Sequence, residues 1–304
     1  MRNPGWIDLQ VNGCSGIDFS SPELTGDDFL RAAERVLESG TGCFLPTLIT
    51  SPLGLYRRNL GVIRRAVVRH GLEREVPGVH LEGPFISADP GAAGAHNPDW
   101  VVPPDPEKVE ALLDLEPGFV RLVTLGADAE NAAGAVRLLR SRGVPVSVGH
   151  HLADSGEIAA AADAGAQALT HLGNGVPGMV PRHRNPIWAG LAEERLSAMI
   201  ITDGHHLPPE LIRVICKVKG AAKIIVTSDA SPGAGLPPGP CRVFGSDAIL
   251  EPGGRLYNPA TGYLAGSAVM LAECMRRLES LGIFSEAELR MAGRDNARKL
   301  IGPA

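Results

Sequence analysis

Nine histidines stand in the chain. Six of them (His80, His150, His151, His171, His205 and His206) fall at the ends of short apolar runs or a few residues beyond. Carboxylates and amides accompany them in His80-Leu81-Glu82-Gly83-Pro84-Phe85, Thr170-His171-Leu172-Gly173-Asn174, Asp203-Gly204-His205-His206 and Thr227-Ser228-Asp229-Ala230. Neutral imidazoles with one carboxylate suit Zn²⁺ or a similar divalent cation, with one position left open for water. Glu82, His150 and His171 make the best ligand set. Asp229 suits a general base, taking a proton from water whose pKa such a metal lowers to about 7. His96, in Gly94-Ala95-His96-Asn97-Pro98, could polarise a carbonyl or be a solvated loop histidine. His151 and His205 each neighbour a better candidate and read as supporting or loop residues. Arg182, His183 and Arg184 form a basic patch, either a clamp for phosphate or carboxylate or a solvated turn.

Those side chains need a scaffold that brings many strand ends to one place. The strand candidates are Trp6–Val11, Gly42–Leu48, Val76–Leu81, Val120–Leu125, Pro145–Val148, Ala168–Thr170, Ser197–Ile201 and Lys223–Thr227. Most are continuous apolar runs, the pattern of parallel strands covered on both faces. Helical spacing runs through Asp27–Glu38, Leu55–Arg69, Glu107–Leu113, Asp128–Arg142, Ser155–Ala164, Pro209–Lys219, Ser267–Leu281 and Glu286–Leu300. Thr25 with Asp28 three residues on predicts a capped helix start. Gly40, Gly143, Gly165 and Gly220 stand where helices should stop. The stretches Val101–Pro106 and Ser231–Pro240 read as loops. Eight strands separated mostly by helices predict an α/β fold, a (β/α)8 TIM barrel whose active site lies at the C-terminal strand ends. A doubly wound sheet is the competitor, and no GxGxxG follows the first strand to support it.

Composition narrows the function classes. The 304 residues carry a net charge of −5, unlike the basic footprint of a nucleic-acid binder. A hydrophobic content of 44% excludes a mainly disordered chain. No run of apolar residues is long enough for a membrane span, and Met1–Gly5 leads into a strand without a signal-peptide core. The five cysteines form no CxxC pair and read as reduced thiols, with a cytoplasmic location expected.

In order and content, the strings Pro4-Gly5-Trp6-Ile7-Asp8-Leu9-Gln10-Val11-Asn12-Gly13, His80–Phe85, Gly94–Pro98, Thr170–Asn174, Asp203–His206, Ser228–Ala230 and Leu264–Ser267 resemble the N-acetylglucosamine-6-phosphate deacetylase family of the amidohydrolase superfamily. The resemblance runs from Pro4 almost to Pro303. It implies that Glu82, His150 and His171 bind the catalytic metal and that Asp229 is the base and then the acid for the departing amine. His96 would hold the scissile carbonyl. Asn174 and the backbone near Gly175 would contact the sugar phosphate. Arg184 and His206 match phosphate- and substrate-contacting positions, with Arg182 the alternative to Arg184. In the family such an arginine can reach across a dimer interface, so a homodimer is expected. The implied products are glucosamine 6-phosphate and acetate. Gln10 and Asn12 stand where many amidohydrolases carry His-x-His, and amides are poor transition-metal ligands. One metal ion is therefore expected, Zn²⁺ first, with Fe²⁺, Co²⁺ or Mn²⁺ as alternatives. Gly173 stands where the family usually has an aromatic residue, and Gly175 where it often has Ala. The family's β-sandwich, built from segments flanking the barrel, has no counterpart here, so residues 1–304 are expected to form one barrel domain. Two other readings stay open. One is an amidohydrolase for a different N-acylated amino sugar or amide. The other is a catalytically silent sugar-phosphate-binding barrel.

Overall fold

Each apolar run becomes a strand because it is covered on both faces. The computed structural model describes residues 5–302, so Pro4 and Pro303 lie outside the described residues. The strands are β1 (Trp6–Val11), β2 (Thr41–Ile49), β3 (Val79–Glu82), β4 (Val120–Leu125), β5 (Val146–Val148), β6 (Ala168–Leu169), β7 (Ser197–Ile200) and β8 (Ile224–Val226). They form one sheet in sequence order, and each neighbouring pair is parallel. All eight fall on the expected runs. Between β8 and β1 the backbone ladder shrinks to one parallel bridge, Val11 with Ala230. Side chains complete that seam. The buried Asp8 carboxylate accepts from the Thr227 hydroxyl (2.7 Å), the Ser228 hydroxyl (2.5 Å) and the Ser228 N–H (3.1 Å). The result is a nearly closed (β/α)8 TIM barrel, as expected.

Helices α1 (Gly26–Glu38), α2 (Leu53–His70), α3 (Pro106–Leu113), α4 (Ala132–Ser141), α5 (Ser155–Ala164), α6 (Pro186–Ala192), α7 (Pro209–Lys219) and α8 (Leu271–Ser280) pack around the sheet. In α1 the buried residues are Phe29, Ala32, Ala33 and Val36, one stripe at helical spacing. Thr25 and Asp28 form the expected capping box. The four expected glycine stops all have positive φ, a conformation glycine adopts without steric cost.

Three expectations are corrected. Residues Glu286–Leu300 are not one regular helix. Helix α9 (Glu286–Arg290) passes through a wide π-type turn, Met291–Asp295, into α10 (Asn296–Ile301). Tight packing sits at that turn, where a Cβ on Gly293 would lie 2.6 Å from the Trp6 ring and 2.8 Å from the Met275 sulfur. Helix α10 then adds Ala297, Leu300 and Ile301 to the cluster of Ile7, Leu9, Leu45 and Leu122 at the barrel floor. Second, the stretch beginning in Ser231–Pro240 is more than a loop. It leads into an antiparallel sheet of β9 (Gly239–Val243), β10 (Ser246–Leu250) and β11 (Leu256–Tyr257), with its own core of Val243, Ala248, Leu250, Leu256 and Ala265. Third, α6 was not expected in its Pro- and Gly-bearing segment. It forms because Asn185 caps the Ile187 and Trp188 amides and Pro186 occupies the first turn.

Candidate active site

His80 and Glu82 are two residues apart on β3, so their side chains leave the same face. His80 is fully buried. Its ring nitrogens lie 3.0 Å from the Leu9 carbonyl and 2.8 Å from the Thr124 hydroxyl, which makes it part of the site's floor. Glu82 Oε1 lies 3.2 Å from His150 Nε2 and 2.9 Å from His171 Nε2. The two imidazole nitrogens are 3.0 Å apart. All three residues are buried, and their ligand atoms lie within 4.8 Å of one another. His150 Nδ1 donates to the Ala92 carbonyl at 2.7 Å, which leaves Nε2 as the ligand nitrogen. This donor triangle fits a divalent cation. Gly175 belongs to the same fit. A Cβ there would lie 3.1 Å from His150 Nδ1 and 3.2 Å from His171 Cε1, and its φ is +63°.

The ionisation states follow from this crowding. Burial alone would raise Glu82, but hydrogen bonds from His150, His171 and His96 hold its carboxyl well below the usual range. Burial works against a charged His150, and the Glu82 contact reverses that and raises it. Burial keeps His171 below the ordinary imidazole value. Strain gathers at the same points. His150, His171 and Asp229 have φ of 51°, 30° and 51°, and each such residue costs about 1–3 kcal/mol.

Asp229, just beyond β8, takes two hydrogen bonds on Oδ1: Gln10 Nε2 at 3.0 Å and Asn12 Nδ2 at 2.7 Å. Gln10 Nε2 also donates to Glu82 Oε1 at 2.7 Å. One amide thus links the acid–base candidate to the carboxylate of the candidate metal cluster. Burial first, then the Glu82 charge, push Asp229 up to about 7. His96 Nδ1 accepts from the Thr50 N–H (3.2 Å) and hydroxyl (2.8 Å), so the proton sits on Nε2, 3.5 Å from Glu82 Oε2. Burial lowers His96 to about 4, which keeps it a neutral donor.

A cavity of about 180 Å³ opens over these groups, lined also by Asn174, Gly175 and His206. His206 is oriented by Asp203, whose carboxylate accepts from His206 Nδ1 at 2.7 Å and from the His205 and His206 amides at 2.9 Å. Burial opposes a charged His206, but Asp203 more than offsets it and raises His206. Arg184 is not among the residues lining this cavity. It is exposed and pairs with Asp154 at 2.7 Å, while Arg182 and His183 are exposed on the same loop. His151 lies apart from the ligand triangle and accepts from the Ala153 amide. His205 meets the Gly253 carbonyl. Sequence reasoning had weighed Gln10 and Asn12 only for metal number, and had not found Thr50 or Asp203 as supports. Asp203 stood three residues before His206, a visible signal. Thr50 gave none.

A barrel mouth with one carboxylate, two imidazoles and a nearby aspartate of raised pKa defines the metal-dependent hydrolase class of site. No family model matches the chain. It is 37% identical to an N-acetylglucosamine-6-phosphate deacetylase of Danio rerio, over 98% of this chain and 74% of that protein. It is 31% identical to an N-acetylgalactosamine-6-phosphate deacetylase of Escherichia coli O157:H7, over 98% and 77%. A mutant N-acetyl-D-glucosamine-6-phosphate deacetylase of Mycobacterium smegmatis, solved with N-acetyl-D-glucosamine-6-phosphate, superposes with a TM-score of 0.88 at 29% identity, covering 99% of this chain and 77% of that one. The chain belongs to the N-acetylglucosamine-6-phosphate deacetylase family.

Proposed function

We propose that this chain hydrolyses the N-acetyl amide of N-acetylglucosamine 6-phosphate to glucosamine 6-phosphate and acetate. The observation that carries the reading is the meeting of Glu82, His150 and His171 with Asp229 at one barrel mouth, in a member of this family. Glu82 and the Nε2 atoms of His150 and His171 would hold one divalent cation. When bound, it supplies Lewis acidity, which polarises an amide carbonyl and acidifies water. His96 Nε2–H donates to the carbonyl oxygen of the scissile amide. Asp229 removes a proton from the attacking water and delivers it to the amide nitrogen as the C–N bond breaks. Gln10 and Asn12 hold Asp229 in reach of both atoms. His206, whose charged form Asp203 favours, and Asn174 with the Gly175 backbone bind the 6-phosphate.

The donor set favours Zn²⁺. Gln10 and Asn12 offer only amides where a second ion would need imidazole ligands, which supports one metal rather than two. A homodimer reading rests on the segment running from Met179 through Arg184 into the first turn of α6, where Met179 is 93% and Trp188 54% exposed. A cytoplasmic location rests on five free thiols. No helix among the described residues is long and apolar enough to cross a membrane. The chemistry is supplied by residues between β1 and the segment after β8, so we take the barrel as the one functional domain. The test is acetate release by metal-loaded protein from N-acetylglucosamine 6-phosphate, its galacto epimer and the two unphosphorylated sugars. Turnover of the gluco phosphate at least tenfold above the rest supports the reading, and equal turnover without phosphate overturns it. The relative from Escherichia coli favours the galacto epimer as the second substrate to examine.

A further inference from the structure

The catalytic cavity does not end at His96. A second chamber of about 460 Å³ joins it there, and the two share Ile49, Gly94, Ala95, His96, Phe244, Tyr263 and Leu264 as wall. None of Asn174, Gly175 or His206, the residues assigned to phosphate, lines this chamber, and neither do Glu82, His150, His171 or Asp229. Its far wall comes from the antiparallel sheet and the turns around it, with Ser246, Asn258 and Thr261. Trp100 adds aromatic surface there, and Tyr263 stands on the wall common to both cavities.

Geometry limits which part of a substrate can enter. In the proposed reaction the sugar phosphate lies toward Asn174 and His206, and the departing nitrogen faces Asp229. The scissile carbonyl is at His96. The part that remains on the His96 side is the acyl chain beyond the carbonyl carbon. A dead-end acetyl pocket would be closed around a methyl group. This one opens into a space more than twice the volume of the catalytic cavity. The lining also sets a charge preference. Asp247 is the one carboxylate on its wall; it is exposed and lies 3.9 Å from Arg242, so the lining offers a terminal carboxylate no buried cation and favours a neutral chain only weakly.

We propose that this chamber is an acyl-extension subsite, which lets the enzyme hydrolyse hexosamine 6-phosphates carrying neutral N-acyl groups longer than acetyl. The inference rests on the deacetylase reading and extends its substrate class. Each methylene that leaves water gains about fourfold in binding, enough to offset the slower intrinsic hydrolysis of a bulkier amide. The experiment is a kcat/KM series on metal-loaded enzyme with N-acetyl-, N-propanoyl-, N-butanoyl-, N-hexanoyl- and N-succinyl-glucosamine 6-phosphate. The expected result is butanoyl and hexanoyl within tenfold of acetyl or above it, with succinyl below butanoyl. Thr261→Trp, in the turn after β11, fills the far wall without touching the catalytic groups, and Ser246→Trp does so from the start of β10. Either should lower hexanoyl turnover at least tenfold while acetyl turnover stays within twofold. A drop of more than tenfold from acetyl to butanoyl in the wild-type enzyme overturns the inference and leaves the deacetylase reading standing. An equal loss for all chain lengths in both variants also overturns it. No turnover of any member refutes the deacetylase reading and the subsite with it.

Discussion

Asp229→Asn is the perturbation that separates chemistry from architecture at this site. Both hydrogen bonds that hold Asp229, from Gln10 Nε2 at 3.0 Å and Asn12 Nδ2 at 2.7 Å, end on the same oxygen, Oδ1. An asparagine can keep that oxygen in place and put its NH₂ where Oδ2 was. Position is then preserved and basicity lost. General acid–base catalysis by one group contributes about 10²–10⁴-fold, and in the proposed reaction Asp229 serves as base and then as acid. A fall in kcat of about 10³–10⁴ follows, or ~4–5.5 kcal/mol at 1.36 kcal/mol per decade. KM should stay within about threefold, because substrate contacts are untouched. Stability supplies a second readout. Burial and Glu82 raise Asp229 to about 7, so the folded metal-free protein retains a proton that the unfolded chain has already released between about pH 4 and 7. Its stability therefore falls as pH rises through that window. The asparagine variant should lack this slope and be no less stable than wild type at pH 7.5, measured by urea unfolding of metal-free protein. A kcat within tenfold of wild type in an acetate-release assay would refute the assignment of Asp229.

Three further outcomes are expected. Gln10→Ala removes the amide shared by Glu82 and Asp229 and should weaken metal affinity by about 10–100-fold, as loss of a metal ligand's hydrogen-bonding partner does, read by competition with a fluorescent chelator. Asp203→Asn deprives His206 of the carboxylate that favours its charged form; KM for the phosphorylated sugar should rise at least tenfold with kcat within about threefold, so an unchanged KM would exclude His206 from phosphate binding. Chelation should abolish turnover and lower the melting temperature, because a ligand bound only by the folded state stabilises it, and added Zn²⁺ should restore both.

The barrel strands were readable because each is a short apolar run ending in polar residues, as in His80-Leu81-Glu82. That periodicity survives without any knowledge of contacts. The sheet of β9, β10 and β11 was not readable, since its strands are largely exposed and their apolar positions face a small local core of Val243, Leu250 and Leu256. Glu82, His150, His171 and Asp229 were legible as strand-end residues of a barrel. Their supports were not. Gln10 meets Asp229 across 219 positions of sequence, and His96 meets Thr50 across 46. Such pairings depend on strand register around the closed sheet, which no local pattern encodes.

The thin join between β8 and β1 divides the labour of the mouth. Glu82, His150 and His171 hang from β3, β5 and β6, on a continuous arc of ladder. Gln10, Asn12 and Asp229 straddle the join, where one backbone bridge and the Asp8 carboxylate do the fastening. A breathing motion that parts this fastening would unhitch the proton carrier while the cation cradle stayed assembled. Amides at Asn12 and Ala230 should then exchange with solvent ahead of those in β3 to β6, and a weakened Asp8 clamp would yield a protein that loads metal normally yet idles.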